Sequence, residues 1–421
     1  MKVYLEKNCP DHGFFSTLIW DGPPLWSAWA RPKTKGKLHN CFTVEKDGCP
    51  LDCGLCPNHR QQTCTALIEV TNRCNLKCPI CFADSGMTQA GDPDLEEIRG
   101  WFTKLQTAGG TFNIQLSGGE PTVRDDLADI VAIGSSSGFG FIQLNTNGIR
   151  LAADQEYLNM LKKAGLSSLF LQFDGTEDDI NLVLRGKPLL AEKIRVIESC
   201  RDLNIGVILV PTLVPGVNTG NLGEIIKFAL GYAPTVRGVH FQPFSYFGRY
   251  PSPPTDERRF TIPQLIRSLE EQTNGMVSAS NFRPPGCENA YCSFHGNFLI
   301  DSAGIVTCNT RYEPTCCQPE EAERGARQAI NSVAAKWSLP MAEESKPAKE
   351  NSCLDSSWDA LISDLLKSSF SISGMAFQDI WNIDLERLRD CCIHVVSKKG
   401  TLIPFCAFNL TSSNGRPLYR S

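Results

Sequence analysis

The sequence predicts an α/β protein, a partial (β/α)6 barrel flanked by small cysteine-rich N-terminal and C-terminal extensions. Two observations lead there. Between residues 65 and 245, short apolar runs of strand length alternate with longer amphipathic stretches, the pattern of parallel βα units. Only six such runs occur, too few for the closed eight-stranded form.

The six predicted strands are Ala66–Val70, Phe112–Leu116, Phe141–Asn145, Leu169–Phe173, Val207–Thr212 and Gly238–Phe241. Helices are predicted over Leu95–Thr107, Asp125–Ser135, Asp154–Ala164, Ala191–Asp202 and Asn221–Leu230. Residues 1–64 are rich in Cys, Pro, Gly and Trp, with little periodicity, and read as a small metal-stapled cap. Residues 246–317 form a cysteine-containing extension. Residues 318–352 are rich in Ala, Glu and Lys and read as a linker or a solvated helix. Residues 353–421 form a last cysteine-containing unit.

Composition narrows the function. The 421 residues carry a net charge of −5, which points away from a nucleic-acid partner, since phosphate binding calls for a basic stripe. The start, Met1 to Lys7, has no apolar core of a signal peptide. The longest apolar stretch, Ile205 to Val217, is broken by Pro211 and Pro215, so no transmembrane segment is expected. A cytoplasmic location is the expectation. The chain has 19 cysteines, an odd number, many in tight groups. In a reducing compartment such cysteines are metal ligands or catalytic groups more often than disulfides.

The decisive motif follows the first predicted strand. Cys74, Cys78 and Cys81 have Cys-x3-Cys-x2-Cys spacing, which lets three thiolates wrap three corners of a cubane iron–sulfur cluster. Three ligands on four irons leave one iron open to the amino and carboxylate groups of S-adenosylmethionine (SAM), as an open zinc site accepts substrate. A structural zinc site would need a fourth ligand. With Phe82 after the last cysteine, the loop resembles the radical SAM signature. The second strand ends in Gly118-Gly119-Glu120, whose glycines permit a close backbone approach and whose carboxylate can accept a bond from the SAM ammonium. Alone, such a run is turn chemistry; one βα unit after the cysteine loop, it matches the radical SAM pattern. Asn145 and Asn147 end the third strand, Gln172 and Asp174 the fourth. Polar residues at these strand ends face the active site of a barrel, although Asn-Gly and Asp-Gly also make ordinary turns.

More cysteines are present than one cluster needs. Cys49, Cys53 and Cys56 repeat the same spacing, and Cys64 is expected to close a four-ligand auxiliary site. The competing reading is a zinc knuckle using His59. Cys287 and Cys292, with Cys391, Cys392 and Cys406, are expected to form another cluster. Cys200, inside an amphipathic helix, reads as core.

Several stretches resemble the tetraether lipid synthase group of radical SAM enzymes, which includes proteins described as pterin methyltransferases. They are Gly48 to Cys64, Leu67 to Ala83, Gln115 to Thr122, Leu171 to Gly175, Phe241 to Arg249, Thr261 to Thr273, and Cys391 to His394 leading into Pro404 to Cys406. The resemblance implies a SAM-binding 4Fe–4S cluster, auxiliary 4Fe–4S clusters and radical chemistry at unactivated carbon. The 5′-deoxyadenosyl radical from SAM would remove hydrogen from a C–H bond. The product would be a C–C bond or a transferred methyl group, on a lipid or a small heterocycle. A low-potential donor such as ferredoxin or flavodoxin would supply electrons. Family members can also carry an N-terminal rubredoxin-like iron site; this sequence departs there, beginning close to Cys9-Pro10-Asp11-His12-Gly13 with no upstream Cys-x2-Cys. Two other functions compete: a multi-cluster electron carrier without SAM chemistry, which would need a fourth ligand for the Cys74 loop, and a zinc-stapled scaffold, which the ordered βα units disfavour.

Overall fold

The computed structural model describes residues 1–38, 40–86, 91–110, 112–310, 319, 321–339 and 368–420. Strands β1 (Lys2–Cys9) and β2 (Gly13–Asp21) form an antiparallel hairpin. Six parallel strands follow in spatial order: β3 (Thr65–Thr71), β4 (Asn113–Gly118), β5 (Ile142–Thr146), β6 (Ser168–Gln172), β7 (Gly206–Val210) and, after the short β8 (Thr212–Leu213), β9 (Val236–Pro243). Each lies within a few residues of its predicted position. Helices α1 (Leu95–Thr107), α2 (Leu127–Ser136), α3 (Ile149–Ala153), α4 (Gln155–Ala164), α5 (Asp178–Arg185), α6 (Leu190–Asp202) and α7 (Leu222–Gly231) fill the connections. The short α3 and α5 were not anticipated. Helix α5 carries a residue that matters below.

Local chemistry explains these elements. Asp94 and Glu97 make a reciprocal capping box that starts α1, and Ile98, Trp101, Phe102 and Leu105 then recur on its buried face. Strand β7 is Gly-Val-Ile-Leu-Val, buried throughout, as a strand covered on both faces must be.

The sheet extends beyond the six units. Strands β10 (Ser293–Ile300), β11 (Val306–Cys308) and β12 (Ser369–Met375) continue it past β9, with β12 parallel to β9 and β10 antiparallel to β12. At the opposite edge β13 (Ile393–Val396) lies parallel to β3, and β14 (Leu402–Pro404) pairs with β13. The described C-terminal residues therefore supply strands to both edges of one 12-stranded sheet.

The N-terminal stretch has more order than its composition suggests. Strand β1 alternates exposed and half-buried residues along its whole length. Trp20 is buried against Trp26, Trp29 and Tyr291, which anchors the hairpin and the following loop by aromatic packing. Helix α8 (Ile262–Gln272) packs against β2, and α9 (Ala322–Trp337) against the β7, β9 and β12 side of the sheet. The Ala-rich stretch at 322–337 is thus a helix with one buried face. Cys316, Cys317 and Cys353 lie outside the described residues.

Candidate active site

One large cavity, about 760 Å³, opens at the carboxyl ends of the parallel strands. Cys74, Cys78 and Cys81 line it, as do Gly118, Gly119 and Glu120. The two glycines have a different reason from the one expected. A Cβ on Gly118 would lie 2.1 Å from the Thr71 carbonyl oxygen, and one on Gly119 would lie 2.2 Å from that of Arg73. The backbone N–H groups of Gly119 and Glu120 donate to those same carbonyls at 2.8 and 2.9 Å. The glycines press the end of β4 against the cysteine loop and fix its shape.

Glu120 is buried and heavily bonded. Its Oε1 accepts from Thr122 N, Thr122 Oγ1 and Thr146 Oγ1 at 3.1, 2.6 and 2.7 Å, while Oε2 accepts from Asn147 N at 2.6 Å. Oε2 keeps a lone pair. Asn147 Nδ2 donates to Asn75 Oδ1 at 2.7 Å, tying β5 to the cysteine loop. Asn145 lines the cavity, and its Oδ1 is buried with no hydrogen-bond partner among the described residues. A buried acceptor of this kind calls for a donor from a ligand.

Asp174 is placed differently from expectation. It is 1% exposed and does not appear in the cavity lining. Its oxygens accept from Arg185 Nε and Nη2 at 2.6 and 2.7 Å and from Thr212 N at 3.1 Å. The residue that reaches the cavity is Arg185, which also touches the Cys78 thiol. Gln172 lines the cavity beside the same guanidinium. Arg185 was missed from the sequence, since an arginine at a helix end is unremarkable. Its only signal was the Asp-Gly turn that supplies its partner. Lys193 was missed too: burial lowers its ammonium to about 8, and it donates to the Asn147 carbonyl.

Burial raises the Cys74 thiol to about 11, so binding a metal there must displace a proton. Three cysteines that line one cavity, an orphaned buried acceptor and a nearby cation are the features a cluster with SAM on it would need.

The remaining cysteines group by tertiary contact. Cys49 and Cys53 hydrogen-bond each other, which lowers the first thiol and raises the second. Cys64 does not join them. The register that sets Thr65 beside Ile393 brings Cys64 to Cys392, and Cys64 N donates to Cys392 O at 2.8 Å. Cys64, Cys287 and Cys392 have sulfur atoms all within 4.8 Å of one another. The five-cysteine C-terminal set therefore divides. Cys392 lies with Cys64 and Cys287, whereas the Cys391 thiol donates to Ile393 O at 3.1 Å. Cys292 and Cys406 lie beside the buried Arg387, with Cys391 in electrostatic reach of both.

A sheet of parallel βα units with such a cysteine loop after its first strand and Gly-Gly-Glu after its second defines an enzyme that binds SAM at an open iron–sulfur cluster. Residues 68–229 match the Radical SAM superfamily model, and residues 1–21 match the HMPTM N-terminal zinc ribbon domain. In that hairpin Cys9 Sγ lies 3.2 Å from His12 Nδ1. The chain is 36% identical to the 7,8-dihydro-6-hydroxymethylpterin dimethyltransferase of Methanocaldococcus jannaschii, across 97% of this chain and 88% of that protein. It is 30% identical to molybdenum cofactor biosynthesis protein 1 of Bos taurus, across 52% of this chain and 35% of that one. Among solved structures it resembles Streptococcus suis SuiB bound to precursor peptide SuiA, with TM-score 0.43 and 15% identity over 52% of this chain and 46% of that one. The chain belongs to the radical SAM superfamily, in its pterin methyltransferase-like subfamily. SAM and a 4Fe–4S cluster are the family's cofactors. Among the described residues no helix is long and apolar enough to cross a membrane.

Proposed function

We propose that this enzyme methylates a small pterin-type heterocycle by radical chemistry, with Cys74, Cys78 and Cys81 as the ligands of its SAM-binding cluster. When bound, the reduced cluster would supply the electron that cleaves one SAM to methionine and a 5′-deoxyadenosyl radical, which would take a hydrogen atom from the heterocycle; because that methionine keeps its methyl group, the transferred methyl would come from a second SAM, released as S-adenosylhomocysteine, with a second electron from the reductant. The chain's own residues orient the reactants. Glu120 Oε2 accepts one N–H of the SAM ammonium, Arg185 takes the SAM carboxylate, and Asn145 accepts from the nucleoside. The reductant is a low-potential protein of ferredoxin or flavodoxin type.

The observation that carries the substrate class is the far wall of the cavity. Phe170, His240 and Trp337 form an aromatic group there, with Phe170 and Trp337 stacked at 5.6 Å and 28°. Ser371, Ser373 and Lys336 lie beside it, and His240 Nδ1 is 2.8 Å from Ser373 Oγ. Flat rings with hydrogen-bonding edges suit such a wall; a lipid chain leaves its polar groups unpaired. The pterin acted on by the Methanocaldococcus relative, as its name states, has that chemistry. The test is anaerobic turnover of reconstituted protein with dithionite, SAM and 7,8-dihydro-6-hydroxymethylpterin. Formation of 5′-deoxyadenosine together with a methylated pterin supports the reading. SAM cleavage without pterin methylation, or coupling of a supplied lipid instead, overturns the substrate assignment.

A further inference from the structure

The polar groups of the cavity wall follow one strand pair. Ser293, His295 and Asn297 of β10 lie opposite Met375, Ser373 and Ser371 of β12, and all six line the cavity. At one end of this row Ser293 Oγ donates to Glu288 Oε1. At the other end Lys336 Nζ, from α9, donates to Asn297 Oδ1 at 2.9 Å. Glu288 and Lys336 line the same cavity. Four residues of strand separate Ser293 from Asn297, about 14 Å. A carboxylate and an ammonium therefore stand at the two ends of a polar row. The aromatic group reaches its middle, where His240 Nδ1 is 2.8 Å from the Oγ of Ser373, the partner of His295. Both end groups have hydrogen-bonding capacity to spare. A carboxylate offers about four acceptor positions; Glu288 Oε1 accepts from Ser293, and Oε2 faces the Cys392 thiol, a weak donor, at 3.7 Å. An ammonium has three donors, and among the described residues Lys336 forms no ion pair.

We propose that Glu288 and Lys336 select the substrate and set its direction in the cavity: Glu288 accepts the 2-amino and N3 hydrogens of the pterin, and Lys336 donates to the 6-hydroxymethyl oxygen. The inference rests on the pterin reading of this site and deepens it. A 2-amino-4-oxopyrimidine ring presents two parallel N–H groups on adjacent atoms. A carboxylate matches such a pair with two bonds, as it matches a guanidinium. The hydroxymethyl group lies at the opposite end of the bicycle, so one ligand meets both end groups along its long axis. Ser293 holds the carboxylate in place through Oε1, and Asn297 holds the ammonium. A ring that lacks the 2-amino group leaves the Glu288 carboxylate short of a donor, and a site built to hydrogen-bond a substrate group rejects ligands without it. Glu288 and Lys336 are thus specificity and positioning residues, with no part in the bond-making steps.

The experiment is anaerobic equilibrium dialysis of reconstituted full-length protein, with SAM present, against three ligands. They are 7,8-dihydro-6-hydroxymethylpterin, its counterpart with a 2-oxo group in place of the 2-amino group, and 7,8-dihydropterin, which lacks the hydroxymethyl group. The parent should bind the first about tenfold or more tightly than the second, and severalfold more tightly than the third. Glu288→Gln should erase or reverse the preference for the 2-amino ligand, because its amide can donate to a 2-oxo group, and should keep the preference for the hydroxymethyl group. Lys336→Met should do the converse. A purely structural role would weaken all three ligands together. Ser293→Ala, which withdraws only the bond to Oε1, should reduce the 2-amino preference without reversing it, and serves if Glu288→Gln does not fold. A parent that binds the 2-amino and 2-oxo ligands equally, or a Glu288→Gln variant with the parent's preference, overturns the role of Glu288. A Lys336→Met variant that still favours the hydroxymethyl ligand overturns that of Lys336. If the parent binds the pterin tightly yet shows neither preference, the inference falls and the substrate assignment stands. If it binds none of the three, both fall.

Discussion

Arg185 and Asp174 form a two-pronged ion pair at the end of β6, 7% and 1% exposed, with nitrogen–oxygen distances of 2.6 and 2.7 Å. The aspartate works through the arginine rather than on the cofactor. Removing one partner of such a buried pair strands the other charge, at a cost of about 3–5 kcal/mol. Asp174→Asn should therefore lower the unfolding midpoint and also weaken SAM binding, because Arg185 loses its orientation. Thermal unfolding and calorimetric titration with SAM check both. A variant that keeps full SAM affinity would leave Asp174 with a purely structural part.

Gly119 sets the shape of the cysteine loop. The 2.2 Å approach to the Arg73 carbonyl leaves no space for a methyl group, and the obstacle is backbone. Gly119→Ala should displace the loop and lose the first cluster, lowering iron by about four atoms per chain. Gly100 is the control. It lies mid-helix in α1 with nothing within 4 Å, so Gly100→Ala should stabilise by about 0.5–1 kcal/mol and leave iron unchanged. Iron analysis and chemical denaturation of both variants decide the matter.

These two cases show what sequence alone conveys. Helix α1 spans Leu95–Thr107, the range predicted for it, because its cap and its apolar period are local. The six parallel strands were legible for the same reason. Strands β12 and β13 were not, since each finds its partner, β9 or β3, far along the chain. The cysteine groups failed likewise. Cys64 is 15 residues from Cys49 by number, yet it meets Cys392 across 328 residues because two parallel strands set the register. Spacing groups Cys74, Cys78 and Cys81, which are neighbours in sequence and line one cavity. It could not sort cysteines that only tertiary structure brings together.

Two cavity histidines make stability depend on pH. Burial lowers His240 to about 4. It lowers His295 to about 4 as well, with Lys336, Arg31 and Arg283 adding to the effect. Both are neutral in the native state, and an unfolded chain binds protons first, near pH 6.5. Their contribution to stability is complete above pH 6.5 and is lost as pH falls toward 4. The loss amounts to about 3 kcal/mol for each histidine. Denaturant midpoints between pH 8 and pH 4.5 should fall less steeply for His240→Gln than for the parent. Parallel curves would mean that His240 titrates normally in the folded protein.

Glu120 gives the sharpest test of SAM recognition, because its two oxygens carry different loads. Oε1 already accepts from Thr122 twice and from Thr146, whereas Oε2 accepts only from Asn147 N. A carboxylate offers about four acceptor positions, so the spare capacity is on Oε2. A charge-assisted bond from the SAM ammonium there contributes about 1.5–3 kcal/mol. Glu120→Gln keeps the shape, loses the charge and turns an amide N–H toward a donor. It should weaken SAM binding about tenfold or more while iron content is retained. Glu120→Ala goes further, leaving the buried donors of Thr122, Thr146 and Asn147 unpaired at about 1–3 kcal/mol each. It should therefore lose stability as well as affinity. SAM titration and denaturation of the two variants separate the effects. If Glu120→Gln binds SAM as tightly as the parent, the carboxylate serves only to join the ends of β4 and β5, and the ammonium is held elsewhere.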